Sequence, residues 1–151
     1  MNRKGATPVM RFFAESLLTY EAQAGPALAG KKPPAVLVCA KLRLPLATLM
    51  GNAGYRALLS RALALAQAEI PWPGEVVIKP DGSLGGWEAL VAQVDPQEMA
   101  EAGVVLIAQL LGLLAAFIGK DLMLRQVGEV WPTVELNESD LVTKGENEKT
   151  E

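Results

Sequence analysis

DPQEMAEAGVVLIAQLLGLLAAFIGK, residues 95–120, decides the fold. Asp95 has the side chain of a helix cap, Pro96 suits the first helical position, and Glu98 stands where a capping box places its acid. From Ala102 to Gly119 only Gln109 is polar. Eighteen helical residues measure ~27 Å, close to the ~30 Å of a bilayer's hydrocarbon core. Three surroundings therefore suit this helix: the centre of a bundle, an oligomer seam, or a membrane. Glu98 and Glu101 stand at one end, Lys120 and Asp121 at the other, and the chain then continues in a water-compatible pattern. Burial as the central helix of a bundle is expected. Gln109, Gly112 and Ala116 fall near one side of it and are the candidate self-association residues; the plainer account of that stripe is a close helix crossing.

Downstream, residues 120–130 read as a last helix. Asp121, Arg125 and Glu129 pair at i,i+4 on its outer face, Leu122/Met123, Val127 and Val130/Trp131 point inward, and Pro132 stops it. From Asn137 onward there are five acids, two lysines and almost nothing apolar. A disordered, flexible acidic tail is expected over 137–151, leaving 1–136 as one helical domain.

Upstream, Val76 to Leu84 reads as a β-hairpin. Pro80 presets the turn, Asp81 caps it and Gly82 accepts positive φ. An isolated hairpin is marginal in water, so it should lie against helices, with Trp87 and Leu90 as contacts. Tyr55, Leu58, Leu59, Ala62, Leu63 and Ala66 match the amphipathic template throughout and predict a helix ending at Ile70. Gly51-Asn52-Ala53-Gly54 reads as the turn before it. Residues 35–50 read as another helix, with Val38, Leu42, Leu46 and Leu49 at helical spacing; a strand over 35–40 is the alternative. Pro45 predicts a kink or break near Lys41–Leu44. Residues 25–34, with two Gly and three Pro, form a linker or loop. Thr7-Pro8 opens the first helix, which lines up Val9, Phe13, Leu17 and Tyr20 and leaves Arg11, Glu15 and Glu21 off that line. The expected fold is mainly α: a compact bundle of about five helices with one short hairpin at about residues 76–84.

Composition narrows the chemistry. The chain has 151 residues, no histidine and one cysteine, Cys39. Without histidine, Ser-His and Cys-His catalysis are excluded, and with them the commonest zinc ligand. No intrachain disulfide can form, which agrees with a reducing compartment. Arg11 and Glu15 interrupt any secretory h-region, so a cytoplasmic location is expected. Only 5% of residues are aromatic, so the core must be aliphatic. Residues 1–70 hold nine Lys/Arg against three Asp/Glu, a balance of +6; residues 71–151 hold five against fourteen, −9. The halves can neutralise each other in one fold, or the first can offer a basic surface to an anion.

One motif invites that second use. Gly51, Gly54 and Arg56 sit at a helix start, where free amides favour anions, with Arg43 and Arg61 nearby in sequence. The spacing matches neither a Walker A loop nor a dinucleotide fingerprint. Arg3-Lys4 and Lys31-Lys32 have no interleaved aromatics, so no nucleic acid is expected. Cys39 reads as a small buried hydrophobe, and Trp72, Trp87 and Trp131 as covers at the core's edges. No metal site and no cofactor are expected. The function expected is non-enzymatic: a small cytoplasmic protein acting by protein–protein contact or as a homo-oligomer. The alternatives are membrane association through helix 102–119 and an anion- or phosphate-ligand-binding module near the 51–56 turn.

Overall fold

The computed structural model describes residues 7–24, 32–72 and 76–134. The acidic tail expected over 137–151 and most of the 25–34 loop lie outside them. Among the described residues, five helices and one hairpin follow in order: α1 (Pro8–Ala24), α2 (Pro34–Glu69), β1 (Val77–Ile78), β2 (Leu84–Gly85), α3 (Trp87–Gln93), α4 (Pro96–Ile118) and α5 (Lys120–Val130). The protein is mainly α, as its periodicity predicts.

α4 is the axis of the bundle. Val105, Ile107, Leu110, Leu111 and Leu114 are fully buried. α2 and α1 supply most of the cover of α4, with α5 and α3 adding the rest. Burying an aliphatic side chain of this size stabilises the fold by ~1.5–3 kcal/mol, so this helix is a principal source of stability. Its start is as read: the Asp95 carboxylate accepts from the Glu98 amide at 2.8 Å. α1 runs antiparallel to α4, with Met10 beside Gly112 and Leu18 beside Gly103. Thr7 Oγ1 accepts from the Met10 amide at 3.2 Å and caps α1.

α2 passes through Pro45 without the expected kink or break and turns at Gly51 (φ 84, ψ 156), the first residue of the turn read before the Tyr55 helix. Proline's fixed φ suits a helix, and its main loss is one hydrogen bond to the Lys41 carbonyl. Lys41 is exposed, whereas Leu42 and Leu46 are fully buried on either side of Pro45, so packing outweighs that loss. Gly51 has no Cβ to oppose a positive φ and turns the chain there. Residues 52–54, read as turn, are already helical. The break lets Tyr55, Leu59, Ala62 and Ala66 share one core with Val38, Leu42 and Leu46. The strand alternative over 35–40 is absent. Leu49 and Val9, assigned inward, are 42% and 36% exposed.

The hairpin stands where predicted. Val77 pairs with Gly85 and Ile78 with Leu84, antiparallel. The Gly82 amide donates to the Lys79 carbonyl and the Lys79 amide to the Ser83 carbonyl, both at 2.8 Å. The result is a three-residue loop with Gly82 at φ 91. Leu84 enters the core, and Trp87 and Leu90 follow it on α3, a helix the sequence reading missed. Seven residues are too few to show a clear helical period.

Candidate functional site

Of the proposed anion ligands near the Gly51 break, Arg43 is turned to the hairpin, together with Asn52. Arg43 Nη1 donates to the Asp81 carbonyl at 3.3 Å, and Asn52 Nδ2 donates to the Pro80 carbonyl at 3.0 Å. Both tie the hairpin turn to α2. Gly54 lies inside the helix with Met50 against it, and Arg61 is exposed. Arg56 is half-buried, and its Nε is buried without a hydrogen-bond partner among the described residues. The structure thus brings Arg43 and Asn52 to one turn but turns them toward the hairpin. Asp81, exposed at that turn, accepts from Ser83 Oγ (2.6 Å) and the Ser83 amide (2.9 Å). Those two bonds, with Arg43 and Lys79 adding to them, hold its carboxyl below the usual range.

The proposed self-association residues separate along α4. Gln109 is buried, and its Nε2 donates to Glu69 Oε1 at 3.2 Å. Gly112 is half-buried against Met10. Ala116 is exposed, and beside it Phe117 is 66% exposed, an aromatic that sequence reasoning passed over. Phe117 closes the most apolar helix of the chain, where a small-residue stripe gives no hint of it.

Two polar networks were also missed. Arg11, expected on an outer face, reaches Glu101 Oε2 at 2.6 Å and Glu69 Oε2 at 3.7 Å. The bond to Glu101 raises the Arg11 pKa further. Glu21, likewise expected to face outward, is buried. Its Oε2 accepts from Trp131 Nε1 at 2.7 Å and pairs with Lys41 Nζ at 2.7 Å. Lys41 Nζ also lies 5.7 Å from the centre of the Tyr20 ring. The signal was present: Glu21 extends the Phe13–Leu17 row by one more step of four. These carboxylates join helices, and no group of three metal-ligating side chains occurs among the described residues.

Cys39 is buried, which pushes its thiol up to about 12. Tyr55 donates its hydroxyl to the Cys39 carbonyl at 3.0 Å, and burial raises its pKa as well. Neither is poised as a nucleophile or base at neutral pH. An apolar groove of about 520 Å³ opens between α1, the start of α2 and the α3–α4 corner, lined by Leu18, Ala22, Pro34, Val91, Met99 and Val104 among others. Glu15 and Lys32 are its charged lining residues. α2 and α4 are long and apolar enough to cross a membrane, with mean hydropathies of 1.4 and 2.1, a test that a core helix also passes. Comparison with family models, curated proteins and solved structures gives no match.

Proposed function

We propose that this chain is a small, non-enzymatic cytoplasmic protein that acts by contact with a second copy of itself. The observation that carries the proposal is the exposed end of α4, where Phe117 and Ala116 lie uncovered. A large aromatic at that exposure is the kind of side chain that anchors protein interfaces. A second copy suits it because the chain is its own electrostatic complement, +6 in residues 1–70 and −9 in residues 71–151. The buried thiol and the absence of histidine favour contact as the function these residues serve best.

Light scattering over a range of concentrations tests the proposal. The wild type should form a dimer or larger species, and Phe117→Asp should weaken it while leaving the helical circular dichroism unchanged. A wild type that stays monomeric at high micromolar concentration would refute self-association. Recovery only from the membrane fraction would overturn it in favour of a spanning α4.

A further inference from the structure

Between α4 and α5 stands a single residue, Gly119, at φ 94 and ψ 149. Its amide donates to the Ala115 carbonyl at 2.8 Å and closes α4; its carbonyl accepts from the Met123 amide at 3.0 Å and opens α5. The residue is exposed, and an added Cβ would meet nothing within 4 Å. Along the backbone, this one pair of dihedrals separates α4 from α5.

α5 is held along its inner face. Met123 and Val127 bury one face against α4 and α2, and Trp131 docks its indole on Glu21, which Lys41 also holds. Every one of these contacts joins α5 to surfaces that a second copy also carries.

We infer that α5 is an exchangeable element, swapped between two copies through Gly119. This rests on the self-association proposed above and names its mode. In the swapped pair Gly119 takes helical dihedrals, α4 and α5 run on as one helix, and the partner's α5 docks where the chain's own would. The exchange replaces every lost contact by its equal, so its cost is confined to the hinge and to bringing two chains together. Ala116 and Phe117 stand immediately before the hinge, where the two straightened helices leave their own bundles, and the crossing supplies their cover.

Full-length variants analysed by light scattering and circular dichroism decide the matter. Inserting Gly-Ser-Gly-Ser after Gly119 lets α5 return to its own chain easily and should give a folded monomer. Gly119→Ala penalises the positive φ by ~1–3 kcal/mol in each of the two chains and favours the straight helix, so it should tighten the dimer by about a hundredfold. If the insertion variant is as dimeric as the wild type, the exchange is refuted while self-association stands. If the dimer loosens in Gly119→Ala, the exchange is likewise refuted. A wild type that is monomeric throughout removes the self-association itself. Should Gly119→Ala fail to fold, the insertion variant alone settles the inference.

Discussion

Trp131→Phe should be a costly single change in the core of this bundle. The indole is 1% exposed and donates at 2.7 Å to a carboxylate that is itself 3% exposed. A hydrogen bond to a charged group contributes ~1.5–3 kcal/mol. The smaller ring also leaves a partial cavity, adding ~1 kcal/mol. A total of ~2.5–4 kcal/mol is a large part of the ~5–15 kcal/mol that stabilises an ordinary domain. For a chain of this size it lowers Tm by roughly 5–15 °C. Glu21→Gln should cost less, ~1–2 kcal/mol, because its amide oxygen still accepts from the indole and Lys41, with 45% of its side chain exposed, returns to water. Thermal unfolding of both single variants and the double variant gives the coupling directly. It should reach ~1 kcal/mol or more. Additivity within ~0.3 kcal/mol would show that Glu21 does not hold the indole, and the account of how α5 is fastened would fail.

Three further outcomes follow from other parts of the molecule. Gly82→Val should destabilise by ~2 kcal/mol or more in denaturant unfolding, since φ is 91 and the new Cβ would stand 3.1 Å from Arg43 Cδ and 3.3 Å from Tyr55 Cδ2; a neutral effect would mean that the turn is not seated on α2. Cys39, its thiol raised to about 12, should resist alkylation near neutrality and react only as the chain unfolds, a comparison read by mass spectrometry with and without denaturant; rapid labelling of the folded protein would contradict its burial. Asp81 has its folded pKa below the unfolded value of 3.8, so its contribution is complete above that pH and is lost as pH falls below it. Asp81→Ala should therefore destabilise the protein near neutrality and matter progressively less below about pH 3.8; an equal effect at both ends would rule out the carboxylate as the cause.

Local chemistry made much of the fold legible. Asp95-Pro96, Thr7-Pro8 and Lys79-Pro80-Asp81-Gly82 each act through backbone groups at most four residues away, so caps and turn could be placed from neighbours alone. The Tyr55–Ala66 row was legible because its apolar spacing extends over several turns. Pro45 misled for the opposite reason. Its local cost is real, but Leu42 and Leu46 are buried in the shared core, and that packing carries α2 through Pro45 to the turn at Gly51. The candidate sites fared similarly: Arg43 and Asn52 lie near Gly51 in sequence, yet their hydrogen-bond partners are on a hairpin 28 to 38 residues further on.

What the sequence by itself determined, then, is the mainly α class, the helix starts, the hairpin turn and the exclusion of histidine-based chemistry, because each depends on composition or on short-range geometry. Tertiary structure alone decided which polar side chains are buried and with what. Glu21 meets Trp131 across 110 residues, and Arg11 meets Glu101 across 90. It also decided which apolar residues go uncovered. Phe117 belongs to the same apolar run as Leu111 and Leu114, but it faces away from the covering helices and is 66% exposed, while Ile118 next to it still packs against the core. A helical period records that a face is apolar; only the lengths and crossings of the neighbouring helices determine how much of that face they cover.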